Sequence, residues 1–377
     1  MNNTKQTRFL SLTFLAASLA LPALAQPPKP TLTEFDAPGA ATVTSPACAD
    51  SLGCGTVAFA NNDPGAIVGF YTDANVVQHA FLRTPGGIVT SIDAPGAGLG
   101  YGLDQGTAAF SINSQGMIAG DFQDSGYVYH GFVRFPNGSF ATFDAPGAGT
   151  GAYQGTQALS INREGATTGV YIDATGVYHG FARSPKGDIT SFDPPGSTYT
   201  YPCEETCMSP DGTIVGFFSD AADNTYGFIR RPDGNFTVVN APGAAPEYGT
   251  IAASVDPQGG ITGYFLDSNG EAHGFLRPRD GEYTIFNIPG GGTGFVQGTV
   301  AFSINSSAQV TGEVIDSNSV MHGFVRSAQG DFATFGAPGA GTAASQGTRP
   351  STNNAAGAVA GWYIDANGLN HGFVWNP

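Results

Sequence analysis

A repeat of 47 to 51 residues runs through residues 31–377 and constrains the fold more than any other feature. Seven copies closely follow the pattern Gly-x3-Asp-x5-His-Gly-Phe-x-Arg, in which the first glycine, the aspartate and the phenylalanine are invariant. A period of this length is typical of propeller or solenoid arrays. The repeated positions are Asp73 and His79, Asp124 and His130, Asp173 and His179, Asp220 and Tyr226, Asp267 and His273, Asp316 and His322, and Asp365 and His371.

Each copy contains four short apolar segments, which in the second copy are residues 107–112, 117–122, 129–134 and 139–143. Gly, Asn, Asp and Pro stand between these segments, as tight turns require. The pattern therefore predicts an all-β fold, a seven-bladed β-propeller with four antiparallel strands per blade. The alternative is a β-solenoid, but its rungs are shorter and its ends need caps that this sequence does not show.

The two ends of the repeat region complement each other. The last copy stops after its third segment, whereas residues 31–39 read as a fourth segment without the other three. We predict that this N-terminal strand completes the last blade, which would hide the sheet edges that an open array exposes. Residues 31–377 would then form a single propeller domain.

Residues 1–25 have the features of a signal peptide. Lys5 and Arg8 precede an apolar run that ends in Ala23-Leu24-Ala25, a small-x-small cleavage signature. We expect cleavage near Ala25, a short linker at residues 26–30, and a secreted or periplasmic location. No later apolar stretch reaches the roughly 20 residues that a membrane-spanning helix needs.

The charge balance limits the classes of partner. Removal of Lys5 and Arg8 would leave 12 basic against 30 acidic residues, a formal charge of −18. A strongly acidic surface disfavours nucleic acids and anionic membranes and is compatible with neutral glycans. We expect a glycan or a surface protein as partner, no nucleic acid, no membrane, no cofactor, and a monomeric protein.

The motif Ser111-Ile112-Asn113-x-x-Gly116-x-Ile118-x-Gly120, followed by His130-Gly131-Phe132, resembles the HAF repeat of extracellular bacterial repeat proteins. The first copy contains His79-Ala80-Phe81 itself, whereas most copies have Gly in place of this Ala. Arg stands where the family tends to have Trp, and Trp375 keeps it. The resemblance covers essentially the whole mature chain and implies an exported, propeller-like repeat protein without an established activity.

Four cysteines form two close pairs in the sequence, Cys48 with Cys54 and Cys203 with Cys207. Cysteines of exported proteins are usually oxidised, and of the three possible connectivities the local one is favoured. A zinc site is the weaker interpretation, because the spacings C-x5-C and C-x3-C are unusual for zinc and no histidine lies near them.

A residue that recurs in every blade is first expected to build the blade. We predict that the repeated Asp and His hold the hairpin between the second and third strands, where an imidazole can bond the carboxylate or a backbone group. The alternative, seven cation sites, offers only one carboxylate per site, which is poor for Ca²⁺, so we expect no metal. We assign the repeated Phe to the core, and the Asp of Phe-Asp-Ala-Pro-Gly-Ala to a turn that ends the fourth strand.

Any specific function is expected on the crossover loops, which lead from the fourth strand of one blade to the first strand of the next. They vary in length, carry aromatic residues, and in four copies end in Gln-Gly-Thr. Rings beside amides and carboxylates are typical of glycan or peptide sites, and the alternative is that the tyrosines only pack loop on loop. The candidate ligand-binding residues are Tyr101, Gln105, Tyr153, Gln154, Tyr199, Tyr201, Glu204, Glu205, Tyr248, Phe295, Gln297 and Gln346.

The fourth copy departs most from the symmetry, because Cys203 and Cys207 bracket two glutamates and Tyr226 replaces the histidine. The sequence favours an exported, non-enzymatic binding or structural module without catalytic residues, which engages a polysaccharide or a surface protein through one loop face. The alternative is a glycan hydrolase or lyase that uses Glu204 or Glu205 with Asp104 or Glu247. Two such carboxylates about 5 to 10 Å apart in a cleft would favour the enzyme.

Overall fold

The computed structural model describes residues 29–44, 53–100, 105–203 and 206–377. These residues form 28 β-strands, which confirms the predicted all-β class. Within them, no helix is long and apolar enough to cross a bilayer. Twenty-four strands are hydrogen-bonded into one sheet, and the other four form a separate sheet.

The strands follow the repeat in groups of four, and each group, here called a unit, is antiparallel. Unit 1 contains β2 (Gly55–Asn61), β3 (Ile67–Thr72), β4 (Gln78–Arg83) and β5 (Val89–Ile92); unit 2 contains β6 (Gly106–Ile112), β7 (Ile118–Gln123), β8 (Tyr129–Arg134) and β9 (Phe140–Phe143); unit 3 contains β10 (Gly155–Ile161), β11 (Thr167–Ile172), β12 (Tyr178–Arg183) and β13 (Ile189–Phe192); unit 4 contains β14 (Ser197–Pro202), β15 (Ile214–Asp220), β16 (Thr225–Arg230) and β17 (Phe236–Val239).

The remaining units have the same order of strands. Unit 5 contains β18 (Thr250–Val255), β19 (Ile261–Leu266), β20 (Ala272–Arg277) and β21 (Thr284–Phe286); unit 6 contains β22 (Gly298–Ile304), β23 (Val310–Ile315), β24 (Met321–Arg326) and β25 (Phe332–Phe335); unit 7 contains β26 (Gly347–Asn353), β27 (Val359–Ile364), β28 (Asn370–Asn376) and β1 (Thr31–Phe35).

The invariant phenylalanine and glycine of the repeat pack against each other inside each unit. In unit 2, Phe132 is fully buried and pairs with Gly120 on the neighbouring strand. A Cβ on Gly120 would lie 2.7 Å from the Phe132 ring and 2.1 Å from the carbonyl oxygen of Ala108. The glycine is therefore needed for close approach, and the seven phenylalanines form the core as predicted. They are Phe81, Phe132, Phe181, Phe228, Phe275, Phe324 and Phe373.

Two contacts join one unit to the next. Between units 2 and 3, Gly155 pairs in parallel with Tyr129, and the N–H of Ala145 donates to Thr156 Oγ1 at 2.8 Å. Across the described residues, the threonine contact recurs at six of the seven junctions and the parallel pairing at five. The repeated Gly-Thr at the start of the first strand therefore has a structural role.

The first and last units are in direct contact. Strand β1 pairs antiparallel with β28 from Thr31 opposite Asn376 to Phe35 opposite Gly372, so the N-terminal strand adds to the last copy as predicted. The Nδ2 group of Asn354 in unit 7 also donates to the carbonyl oxygen of Asn62 in unit 1, at 3.0 Å.

Unit 4 corrects one sequence prediction. Tyr199 and Tyr201 were expected on a crossover loop, but Ser197–Pro202 is strand β14, which pairs antiparallel with β15. The alternation Thr-Tyr-Thr-Tyr has period two and consists of residues that favour strands, so the segment belongs to the sheet. The crossover shrinks to residues 193–196, and β14–β17 is the sheet that stands apart from the others.

The disulfide prediction is confirmed in unit 4. Cys203 and Cys207 are bonded, with their Cα atoms 5.1 Å apart. Cys54 is also disulfide-bonded, whereas its predicted partner Cys48 lies outside the described residues, as does the predicted signal peptide.

Candidate functional site

The repeated aspartate closes the turn between the second and third strands of each unit. In unit 1, Asp73 Oδ1 accepts the N–H groups of Asn75 at 2.8 Å and Val77 at 2.9 Å. The same pair of contacts occurs at each of the other six aspartates. In unit 3, bonds from Val177 and Thr175 lower the pKa of Asp173 to about 2.

The repeated histidine lies between two acidic side chains in four units. In unit 1, His79 Nδ1 lies 2.7 Å from Asp93 Oδ1, its Nε2 lies 3.8 Å from Asp73 Oδ2, and its ring stacks on Tyr71. The bond to Asp93 raises the pKa of His79, and the equivalent bond to Asp36 raises the pKa of His371. These contacts lie within one unit and stabilise its hairpin.

Sequence reasoning missed the second histidine partner. The Asp of Phe-Asp-Ala-Pro-Gly-Ala was assigned only to a turn, but Asp93, Asp144 and Asp193 each bond a histidine. The constant separation of 14 residues between the two positions was the available signal. In unit 5 the partner is Asn287, whose Oδ1 lies 2.8 Å from His273 Nδ1.

The glutamines of the crossover loops accept a hydrogen bond from their own loop, and three of them also donate to the turn between the second and third strands of the unit. Gln297 Oε1 accepts the N–H of Gly294 at 3.0 Å, and its Nε2 donates to the carbonyl oxygen of Ser317 at 3.3 Å. Gln105 and Gln154 make corresponding pairs of contacts, and Gln346 accepts the N–H of Ala343. The amide groups that we predicted as ligand contacts therefore shape the crossover loops.

The aromatic residues of the regular crossovers pack on neighbouring loops and remain partly exposed. Tyr248 packs edge-on against Phe295 with ring centres 5.4 Å apart, and Phe295 is 63% exposed. Tyr153 packs against Tyr127 at 5.6 Å and is also exposed. Loop-on-loop packing, the alternative weighed from the sequence, accounts for the ring contacts of these residues.

Tyr199 and Tyr201 lie elsewhere, in a cavity of about 440 Å³ among the first and second strands of several units. Tyr201 pairs with Phe217, and the two rings lie 5.5 Å apart. Phe59 and Trp362 pack against each other at 5.6 Å. In all, seven aromatic side chains line the cavity: Phe59, Tyr199, Tyr201, Phe217, Tyr264, Phe302 and Trp362.

One charged side chain, Arg349, joins this aromatic lining. Its Nε donates to Glu313 Oε2 at 3.1 Å, and its guanidinium lies 5.2 Å from the centre of the Trp362 ring. Glu313 is buried, and burial raises its pKa. Arg349 keeps 30% of its side chain exposed, so an oriented cation faces the cavity.

Strand pairing explains why these residues meet in the cavity. Arg349 and Tyr201 each pair with the residue that follows the invariant glycine, at the position where the other units have Val57, Ala108, Gln157, Ile251 and Val300. Tyr199 occupies the position of the junction glycine, because it pairs with Ser219 as Gly55 pairs with Thr72. At these three positions the residues that line the cavity, Arg349, Tyr201 and Tyr199, differ from those of the other units.

Unit 5 brings three potential metal ligands together. Ligand atoms of Asp267, Glu271 and His273 all lie within 4.8 Å of one another. The sequence interpretation of one carboxylate per turn did not include Glu271.

Four of the predicted site residues lie outside the described part of the chain, and Glu247 lies away from the cavity. Tyr101, Asp104, Glu204 and Glu205 lie outside the described residues. Glu247 is exposed on its crossover. The carboxylate pair of the enzyme alternative therefore remains a sequence hypothesis.

Comparison with known proteins gives information on the fold. No family model and no curated protein matches the sequence. A streptogramin B lyase aligns with a TM-score of 0.53 at 11% identity, covering 92% of this chain and 98% of the lyase. A lectin from Burkholderia pseudomallei aligns with a TM-score of 0.50 at 11% identity, covering 83% of this chain and 94% of the lectin.

A puromycin hydrolase also aligns, with a TM-score of 0.50 at 13% identity, over 86% of this chain and 55% of the hydrolase. These neighbours are β-propeller proteins and include enzymes as well as a lectin. At such low identities the similarity shows the fold alone, and this chain has a propeller-type fold.

Proposed function

We propose that the protein is an exported seven-bladed β-propeller that binds a glycan in its aromatic cavity and does not transform it. The units described above are the blades, and the cavity lies where their first strands converge. Export rests on the signal-peptide features of residues 1–25 and on the resemblance to the HAF repeat.

Contacts between the chain ends support a closed ring of blades. The pairing of β1 with β28 makes the last blade from both ends of the chain. Asparagine side chains of the turns after the first strands donate to the next blade, from Asn62 to Asn113, from Asn113 to Asn162, and from Asn354 back to Asn62. The contact between Asn354 and Asn62 joins positions 292 residues apart in sequence.

The combination of aromatic faces with one oriented guanidinium carries the proposal of glycan binding. Rings such as Tyr201 and Trp362 can stack on the apolar faces of sugar rings, while polar groups fix the orientation of a ligand. Arg349 can donate hydrogen bonds to hydroxyl or carboxylate oxygens, because Glu313 engages its Nε and leaves the terminal nitrogens to point elsewhere. The volume of about 440 Å³ is within the range of small-molecule sites.

Tryptophan fluorescence offers a direct test. The chain has two tryptophans: Trp362 lines the cavity, and Trp375 stacks on Phe335 in the last blade. Mature protein would be screened on a glycan array, and the retained oligosaccharides titrated while emission is recorded. We expect a saturable change that persists in Trp375→Phe and disappears in Trp362→Phe.

Three alanine variants locate the binding surface. Tyr201→Ala should weaken binding about tenfold or more, since each tenfold corresponds to about 1.4 kcal/mol. Phe302→Ala should act in the same direction, and Phe295→Ala on the crossover loops should leave affinity unchanged. Absence of any retained glycan, or loss of binding in Phe295→Ala alone, would refute the cavity proposal. Shortened oligosaccharides after incubation would instead show a glycan-active enzyme.

A further inference from the structure

We propose that Asp267, Glu271 and His273 in unit 5 bind one Zn²⁺ ion. Asp267 follows β19, Glu271 lies in the turn that precedes β20, and His273 is near the start of β20. Their ligand atoms lie within 4.8 Å of one another, and His273 Nε2 is 3.8 Å from Asp267 Oδ2. The site is separate from the aromatic cavity and does not depend on the proposed glycan.

The donor set suits zinc better than calcium. Zn²⁺ binds imidazole nitrogen at about 2.0–2.1 Å and carboxylate oxygen at about 2.0–2.2 Å, commonly with three protein ligands and a water. Small rotations of half-buried side chains can bring atoms at the present separations to these distances. Ca²⁺ prefers six to eight oxygen ligands, which two carboxylates and an imidazole do not supply.

The other six units provide an internal comparison, because each has the turn aspartate but none has the glutamate. Where unit 5 has Glu271, the others have Val77, Val128, Val177, Asn224, Val320 and Leu369. Val77, Val320 and Leu369 are buried. Unit 5 thus has a carboxylate, next to an aspartate and a histidine, where the other six units have an uncharged and mostly apolar side chain.

The contact between His273 Nδ1 and Asn287 leaves His273 Nε2 able to bind a metal. Its Nδ1 faces Asn287 Oδ1 at 2.8 Å, and an amide oxygen accepts a hydrogen bond from a protonated Nδ1. The lone pair on Nε2 then points toward Asp267, where a cation would relieve the repulsion between the two acceptors. An outer partner that fixes the imidazole tautomer in this way is usual at zinc sites.

Titration of mature, chelator-treated protein with Zn²⁺ in a calorimeter tests the assignment. We expect a single equivalent in the wild type and none in Glu271→Val or Glu271→Gln. Asn287→Ala should weaken binding by about 10- to 100-fold, as loss of an outer partner commonly does. Co²⁺ in place of Zn²⁺ should give visible absorption bands that disappear in the same variants.

His130→Gln is the matched control, because unit 2 has Asp124 and His130 but Val128 at the third position. This variant should still bind one equivalent of Zn²⁺. Melting temperatures in chelator should be equal for Glu271→Gln and the wild type, which shows that the variant is folded. The proposal would be overturned if the wild type bound no Zn²⁺. It would also be overturned if both Glu271 variants still bound one equivalent of Zn²⁺, or if His130→Gln bound none.

Discussion

The junction between units 3 and 4 differs from the junction between units 2 and 3, although both follow the same repeat. Between units 2 and 3, Gly155 pairs in parallel with Tyr129 and Thr156 accepts the N–H of Ala145. Between units 3 and 4 the residue after Asp193 is Pro194, which has no N–H to donate. The first strand there begins at Ser197, after a crossover of only four residues.

The difference shows how a repeated scaffold comes to hold aromatic side chains in its cavity. At regular junctions the glycine and threonine are required by backbone contacts, so their positions cannot carry a large side chain. The junction between units 3 and 4 lacks these contacts, and Tyr199 takes the position of the junction glycine and faces the cavity. The absence of these junction contacts thus lets aromatic residues line the cavity. Four predictions test this contrast.

Truncation of the repeated phenylalanine should have the largest effect, and it should be equal in units 3 and 4. Phe181 and Phe228 are both fully buried, so Phe181→Ala and Phe228→Ala should each lower the free energy of unfolding by about 3–5 kcal/mol. Chemical denaturation of the two variants measures this. A much smaller loss in Phe228→Ala would mean that unit 4 unfolds separately from the rest.

Glycine substitution should distinguish the two junctions. Gly155 has φ of 118°, and a Cβ there would lie 2.1 Å from the carbonyl oxygen of Tyr129, so Gly155→Ala should cost about 2–3 kcal/mol. In unit 4 that position is occupied by Tyr199, and the glycine of the crossover, Gly196, stands at the position of Gly147 with φ of 86° and open space around it, so Gly196→Ala should cost about 1 kcal/mol. Similar melting temperatures for the two variants would contradict the tighter regular junction.

Removal of the threonine hydroxyl should have a smaller effect with the same contrast. Thr156→Val leaves the buried N–H of Ala145 without its acceptor and should cost about 1–2 kcal/mol. Thr200 takes the equivalent position in unit 4, but its hydroxyl bonds Ser197 Oγ at 3.3 Å and not a backbone N–H, so Thr200→Val should cost less, about 0.5 kcal/mol. Thermal unfolding of both variants checks the difference, and equal shifts would argue against a specific role for Thr156.

The pH dependence of stability should show the smallest effect. The pKa of His79 is raised above its ordinary 6.5, so its contribution is fully present below pH 6.5 and is lost as pH rises through the folded-state pKa. His79→Tyr, which copies unit 4, should remove this pH-dependent part, about 1 kcal/mol or less because Asp93 is half exposed. The free energy of unfolding is measured at pH 5.5 and 8.5 for the wild type and for His79→Tyr. If the difference between the two pH values is the same in both proteins, the pair of His79 with Asp93 is not the source of the pH dependence.

Much of the fold was predictable because its elements depend on local patterns. Strand positions in unit 2 follow from period-two alternation and from turn residues, and the bounds differ from the prediction by one residue at most. The burial of Phe132 and the pairing of the N-terminal strand with the last copy were also predicted correctly.

The candidate site was predicted less well. Tyr199 and Tyr201 were identified but assigned to a loop, while Arg349, Glu313 and Trp362 were not identified. Gln297 and its equivalents were expected at a ligand site, and in the structure the Gln297 amide links its crossover loop to the turn at Ser317. Arg349 stands where the other units have uncharged residues, but the sequence did not show that this position faces Tyr201 and Trp362 in one cavity.

The sequence by itself determined the all-β class, the order of strands and the residues that build each unit, because these depend on spacing along one chain. The tertiary structure decided which departures from the repeat face one another, since residues as distant as Phe59 and Trp362 meet only when the units pack together. It also decided that Glu271 lies beside Asp267 and His273. A repeat specifies its own scaffold through local contacts, whereas a site requires side chains from different strands to converge in space.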